Sequence, residues 1–259
     1  MKFPKSFDVL GNIAVVKFSR EFKKKDKKKY AKEILEKNKS VETILEKVDK
    51  IKGRLRTPTT KWLAGKKTKE VLYKENNCVF RFNVDKTYFS PRLSNERKEI
   101  AEKIKKGDEV FVMFAGVAPF SIVIAKNSQA EKVYSNELNR EANKYGEMNI
   151  ELNKVKDKVE LIPGDIKKVV DKINKKFDVI VMPRPQLKDI FLESAFKLSK
   201  KGTRIFYYDF CGIDETNSIV EKIKKESLRA KKKIKILKVK KAGEVAPYKI
   251  RVRVDFQIL

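Results

Sequence analysis

The chain has 259 residues, with 63 Lys plus Arg against 35 Asp plus Glu and a formal charge of +28, so it is long enough for a large core in one or two domains. Its 41% hydrophobic content excludes a disordered polyelectrolyte, and the excess of cations points to a polyanionic partner. Histidine is absent, which removes serine triads, histidine zinc sites and histidine proton shuttles and leaves acid–base work to carboxylates, lysine or tyrosine. In chain order, MKFPKSFDVL has no apolar h-region, so no secretory signal is expected. A strand is predicted at Ile13 to Phe18, a lysine-loaded helix from Lys27 to Asn38 and a second helix around Val41 to Val48. Strand-like runs return at Val71 to Tyr73 and Val79 to Val84, flanking the turn residues Asn76 and Asn77. No βαβ run is expected before residue 100, so the first 92 residues read as a small α+β domain.

A seam near Pro91 to Ser94 leads into a second domain, residues 93–259, opened by a helix from Ser94 to Lys106 that Gly107 stops. Strands are then predicted at Glu109 to Phe114, Lys132 to Leu138, Val159 to Ile162, Phe177 to Met182 and Thr203 to Tyr208. Helices are predicted over residues 119–126, 140–152, 166–174, 189–200 and 214–229. Such alternation means a parallel sheet covered on both faces. The apolar stretch Val110 to Ala125 is shorter than the ~18 residues of a membrane span and contains Gly116, Pro119 and Ser121, so no membrane is expected. At the end, Lys233 to Lys240 and Tyr248 to Ile258 form an antiparallel hairpin across the loop Lys241 to Pro247. An α/β sheet of seven strands closed by such a hairpin is the Rossmann-like architecture of the S-adenosylmethionine-dependent methyltransferases. Cys78 and Cys211 make neither a disulfide framework nor a metal site, and a reducing, cytoplasmic compartment is expected.

The small-residue turn Ala115 to Ser121 follows the first strand of this sheet, with Pro119 opening the next helix. Backbone can approach a ligand there. Glu137 ends the second strand, 21 residues past Gly116, where an acid reaches ribose hydroxyls, and Gly164 and Asp165 end the third. With no GxGxxG fingerprint, NAD is disfavoured, whereas S-adenosylmethionine has no phosphate and needs no such loop. Asn139 is the expected cap of the helix after Glu137.

These residues resemble the archaeal and eukaryotic type of tRNA (guanine-N1)-methyltransferase that modifies position 37, beside the anticodon. YFSPRLSNER at Tyr88 to Arg97, MFAGVAPFSI at Met113 to Ile122 and ELNREANKYGEMNIELNK at Glu137 to Lys154 carry the resemblance, with GRLRTP at Gly53 to Pro58 upstream. The resemblance implies S-adenosylmethionine as cofactor, tRNA as partner, no metal and a monomer. It implies Glu96 as the base that takes the N1 proton and Arg56 as the cation at O6. It places Tyr88, Arg97, Phe114, Gly116, Glu137, Leu138, Asp165, Ile166 and Pro183 at the cofactor, and Arg92, Arg184 and Pro185 at the target base. Tyr207 and Tyr208 are read as strand packing with no role at the site.

Three departures from the family pattern stand out: Val112 in place of aspartate, Ala118 in place of glycine, and Pro183-Arg184-Pro185 in place of Asn-Leu-Pro. Pro183 has no side-chain amide, so its hydrogen bond is expected from backbone carbonyls or from Arg184. The altered motif also fits an enzyme that C-methylates a wyosine precursor at the same position, alone or in addition, or a noncatalytic RNA-binding homologue. Because the sequence begins at the small domain, its grip on tRNA is expected to rest on charge, with lysine clusters at 23–29, 66–69 and 222–241 as a basic face.

Overall fold

The computed structural model describes residues 3–4, 6–48, 55, 57–187 and 189–259. The chain forms two compact units, Met1–Pro91 and Arg92–Leu259. In the first, β1 (Asp8–Leu10) turns back through Gly11 onto β2 (Ile13–Val16), followed by α1 (Lys24–Lys37), β3 (Thr43–Lys47) and β4 (Thr60–Gly65). The sheet order is β1-β2-β3-β4, with β2 and β3 parallel and the other two pairings antiparallel. Ala31 and Ile34 of α1 are buried in one cluster with Ala14, Val16, Ile44 and Leu63.

The helix expected over Val41 to Val48 is therefore a strand. Its apolar positions suit either period, and the β-branched pair Thr43-Ile44, both fully buried, favours a short buried strand. That correction brings another, because β2, α1 and the parallel β3 make a βαβ unit well before residue 100. Next, β5 (Glu70–Glu75) and β6 (Cys78–Asn83) pair as an antiparallel ribbon. Asn76 and Asn77, at φ of 46° and 59°, form its two-residue turn, which asparagine tolerates in the left-handed region.

The second unit opens with a 3₁₀ turn at Pro91–Leu93 and α2 (Ser94–Glu102), shorter than expected. Then come β7 (Glu109–Met113), α3 (Pro119–Asn127), β8 (Lys132–Glu137), α4 (Arg140–Leu152), β9 (Val159–Pro163), α5 (Ile166–Val169) and β10 (Phe177–Met182). The chain ends with α6 (Leu192–Lys197), β11 (Ser199–Gly212), α7 (Thr216–Arg229), β12 (Ile234–Ala246) and β13 (Lys249–Ile258). The seven strands lie in the order β12-β13-β11-β10-β7-β8-β9. Strands β7 to β11 are mutually parallel, and β13 pairs antiparallel with both β11 and β12, as expected. Among the described residues no helix is long and apolar enough to cross a membrane, and Val110 to Ala125 is β7, its turn and α3.

Four further boundaries differ from expectation. The helix over 189–200 shrinks to α6, because Phe191 at φ 56° breaks the chain direction and Ser199 already pairs with Phe177. The fifth strand lengthens to fourteen residues, since β13 pairs with it from Arg204 to Gly212. The loop over Lys241 to Pro247 is mostly strand: β12 continues to Ala246 through register shifts, and the turn is made at Tyr248, φ 58°. The helix over 166–174 is α5 followed by a 3₁₀ turn at Val170–Lys172.

Candidate active site

The carboxyl ends of β7, β8 and β9 form one hydrogen-bonded rim. After β7, Phe114, Gly116 and Ala118 all take positive φ, 62°, 58° and 64°, so the backbone coils tightly before Pro119 starts α3. An alanine at such a conformation costs about 1 kcal/mol relative to glycine. Glu137 closes the turn from the next strand: its Oε2 accepts the Gly116 N–H at 2.7 Å and its Oε1 the Asn139 N–H at 2.8 Å. Burial pushes the Glu137 carboxyl above its usual pKa, and the N–H groups of Asn139, Gly116 and Leu138 oppose that shift. The Asn136 side chain then ties β8 to the third strand end, donating to the carbonyls of Ile162 (2.8 Å) and Gly164 (3.1 Å). Gly164 N–H returns a bond to Glu137 O at 2.8 Å. Asp165 caps α5 by accepting from Lys167 N–H, and Asn139 caps α4 by accepting from Glu141 and Ala142.

Gly116, Glu137, Leu138 and Asp165 are thus brought together. Phe114 leans on Phe191 with ring centroids 4.8 Å apart. Ile166 sits in the hydrophobic core, so only its backbone is available to a ligand. The rim suits a nucleoside: the Glu137 carboxylate accepts backbone N–H groups and keeps lone-pair capacity for a hydroxyl, and among the described residues no glycine loop shaped for phosphate is present.

Glu96, in the first turn of α2, is 5% exposed and lies in a buried ionic cluster. Its Oε2 accepts the Tyr208 hydroxyl at 2.9 Å and Arg253 Nη1 at 2.6 Å, while its Oε1 pairs with Lys240 Nζ at 2.9 Å. Arg253 also binds Glu99 Oε1 at 2.6 Å and Asp255 Oδ1 at 2.7 Å. Hydrogen bonding from Arg253 holds the Glu99 carboxyl down at about 2, and burial pushes the Tyr208 hydroxyl well above its usual value. Tyr208 is therefore no mere packing residue. Its ring lies 6.1 Å from that of Phe120, the second residue of α3, and the buried Arg97 guanidinium lies 5.6 Å from the same ring. Phe120 thus joins the Glu96 cluster to the helix that leaves the Gly116 turn.

Arg184 also departs from expectation. Rather than facing a base, its guanidinium turns inward, 4% exposed, with Nη1 on Asp209 Oδ1 at 2.5 Å and Nη2 on the carbonyls of Leu187 (2.6 Å) and Asp189 (3.0 Å). It pins the loop after β10, in which Pro183 and Pro185 are half-buried. Tyr207 and Lys222 complete this second cluster on Asp209. Arg92 is exposed and Tyr88, in the first unit, is half-buried. Arg56 and much of GRLRTP lie outside the described residues.

Sequence reasoning missed Tyr208, Lys240, Arg253, Asp255 and Asp209. Arg-Val-Arg-Val-Asp at Arg251 to Asp255 alternates as a half-exposed edge strand does, yet β13 is an interior strand. Its polar face is therefore buried, and an alternating charged strand flanked on both sides was the available signal.

Residues 71–240 match the TRM5/TYW2 methyltransferase domain, and residues 1–68 match the TYW2 N-terminal domain. The tRNA (guanine(37)-N(1))-methyltransferase Trm5b of Pyrococcus abyssi is 36% identical over 260 residues, 98% of this chain and 75% of that protein. The crystal structure of P. abyssi Trm5b superposes with a TM-score of 0.88 over the same shares of the two chains. The tRNA (guanine(37)-N(1))/4-demethylwyosine(37)-methyltransferase Taw22 of Nanoarchaeum equitans is 36% identical over 222 residues, 85% of this chain and 71% of that one. A structure of aTrm5 in complex with tRNALeu is 28% identical, with a TM-score of 0.85 over 99% of this chain and 73% of that one. By the extent of the domain match and by these relatives, the chain belongs to the TRM5/TYW2 methyltransferase family.

Proposed function

We propose that this protein is a tRNA methyltransferase that transfers a methyl group from S-adenosylmethionine to N1 of the guanosine at position 37, working as a monomer in the cytoplasm without a metal. The observation that carries the reading is the rim in which Glu137 holds the Gly116 turn, linked through Phe120 to the buried Glu96 carboxylate. The name of the P. abyssi relative supplies the target atom, and the aTrm5 complex supplies the class of RNA.

Glu137 and Asp165 would hold the ribose and adenine ends of the cofactor, with backbone of Phe114, Gly116, Leu138, Ile166 and Pro183 lining it and Tyr88 and Arg97 shaping the pocket. When bound, S-adenosylmethionine supplies a methyl group on a sulfonium centre. The chain must supply a base, because guanine N1 carries a proton at neutral pH. Glu96 takes that proton, and Arg56 offers a cation to the charge that builds on O6. Arg92 and Pro185 are assigned to the target nucleotide. Arg184 acts on it through the loop that it pins, rather than by contact. The basic surface holds phosphates, and the target base leaves its stack to reach the site.

Nucleoside analysis of tRNA after incubation with labelled cofactor tests this. The expected product is 1-methylguanosine at position 37; label on an exocyclic amine, or no label with cofactor bound, overturns it. One observation favours a second activity. The loop Pro183-Arg184-Pro185 offers no amide to the base, and the N. equitans relative is named for two products. Transfer to tRNA carrying 4-demethylwyosine at position 37 distinguishes a two-product enzyme.

A further inference from the structure

We propose that Arg253 and Lys240, on the C-terminal hairpin, are positioning residues for the general base: they fix the Glu96 carboxylate and reserve one of its oxygens for the substrate proton. The proposal rests on the reading of Glu96 as base. Arg253 lies beyond the stretch 71–240 that matches the family domain, so the match assigns it nothing.

The first argument is stoichiometry. Glu96, Glu99 and Asp255 converge on a single guanidinium that is fully buried, with Lys240 as the only other cation bridging to this cluster among the described residues. A cluster with more acids than cations is a poor way to stabilise a fold, since desolvating each ion costs several kcal/mol and a well-packed apolar set would do as well or better. Ionic groups kept buried in this way, beside the helix that leaves the Gly116 turn, point to a functional demand. The second argument is shape. Arg253 grips Asp255 with Nε and Nη2 (2.7 and 3.1 Å) and still directs Nη1 to Glu96 and Nη2 to Glu99, both at 2.6 Å. These four bonds exceed the three donors of a lysine ammonium and follow the planar fork of a guanidinium, so lysine does not reproduce them.

The third argument separates the two oxygens of Glu96. Oε2 accepts from Tyr208 and Arg253, both buried and fixed by strand pairing, because Tyr208 and Arg253 stand directly opposite each other on β11 and β13. Among the described residues Oε1 pairs with Lys240 alone, whose side chain is 32% exposed and contacts Glu99 as well. Lys240 can therefore withdraw to Glu99 and leave Oε1 open. The N1 proton arrives at Oε1 and leaves to solvent along the same path. The charged and titratable groups that face Glu96 are Glu99 on α2, Tyr208 on β11, Lys240 on β12, and Arg253 and Asp255 on β13.

The test is single-turnover methylation of tRNA, with KM for tRNA and for S-adenosylmethionine measured separately from the saturating rate. Lys240→Met is expected to lower the saturating rate about tenfold, with both KM values within about twofold, and Lys240→Arg, which keeps the cation, is expected to recover most of the loss. Arg253→Lys is expected to lower the saturating rate at least about tenfold while KM for the cofactor stays put. Lys240 is partly exposed, so Lys240→Met decides the question even if Arg253→Lys does not fold. An unchanged saturating rate in Lys240→Met, with any loss appearing only as a raised KM for tRNA, overturns the proposal and makes Lys240 a phosphate contact. Glu96→Gln at the wild-type rate is a separate outcome: it removes the base assignment itself, and this proposal with it.

Discussion

Two buried ionic clusters flank β11, and they differ in what they hold. Tyr207 and Tyr208 are neighbours on the strand and so point to opposite faces. The Tyr207 hydroxyl ends on Asp209 at 3.1 Å, and the Tyr208 hydroxyl on Glu96 at 2.9 Å. On the Asp209 side one acid meets two cations, Arg184 and Lys222, and Arg184 spends its other Nη on loop carbonyls. On the Glu96 side three acids meet Arg253 and Lys240. The first cluster fixes backbone; the second fixes the side chain proposed as the base. The difference teaches that the two clusters, equally buried, are told apart by their charge balance: one is short of acids and ties down a loop, the other has a surplus of them around Glu96.

Deleting the central cation of each cluster, or its central anion, exposes the asymmetry most strongly. Arg253→Met leaves Glu96, Glu99 and Asp255 facing one another with only Lys240 between them, and the expected loss is about 4 kcal/mol in urea unfolding. Asp209→Asn is expected to cost only about 2 kcal/mol, since Arg184 keeps its two carbonyls and Lys222 can turn to water. A larger loss for Asp209→Asn than for Arg253→Met would break the comparison.

Acid titration probes both clusters together. Arg253 holds the Glu99 carboxyl at about 2 against an ordinary 4.5. Burial would push Asp209 up, but Arg184, Lys222 and the Phe210 N–H outweigh it and hold its carboxyl below the usual value. Both groups have folded-state values below their unfolded ones, so their contribution is complete above about pH 5 and is lost as pH falls through the folded values. Tm is expected to fall steadily between pH 5 and pH 2 in low salt, and Glu99→Gln is expected to flatten that slope. An equal slope in the variant would show that Glu99 takes no part.

The rim around Glu137 is legible from sequence and the cluster around Glu96, the proposed base, is only half so. Gly116, Glu137 and Asp165 announce themselves by local spacing, because each ends a strand that periodicity locates and each is followed by a helix with a recognisable start. Glu96 was found through the SNER motif, but its partners Tyr208, Lys240 and Arg253 lie 112, 144 and 157 residues away and meet it only through the order of the sheet. Nothing local in Arg-Val-Arg-Val-Asp distinguishes a buried polar face from a wet one; the position of β13 between β11 and β12 does. Arg184 was misread for a related reason. Its motif position pointed to the substrate, whereas the acid that claims it, Asp209, is on the next strand. In the first unit the helix expected at Val41 to Val48 failed because eight residues are too few for either period to win, and the parallel partner β2 decided it.

The two tyrosines give the finest test, because each can be changed by one oxygen atom without altering the packing of its ring. Tyr208→Phe removes a hydroxyl donor from Glu96, whose Oε2 then relies on Arg253 alone; the expected cost is about 1.5 kcal/mol, typical of a bond to a charged acceptor. Tyr207→Phe removes a longer bond from Asp209, which keeps Arg184, Lys222 and the Phe210 N–H, so the expected cost is about 0.5 kcal/mol. The hydroxyl of Tyr208 also fixes Glu96, so its loss is expected to lower the saturating rate of methyl transfer, in the same direction as Lys240→Met and by less. The Tyr207 hydroxyl bonds to Asp209 rather than to Glu96, and its loss has no such route to the rate. Urea unfolding and the saturating rate of the two variants therefore measure, residue against neighbouring residue, whether the two faces of β11 divide their labour between holding a loop and holding Glu96.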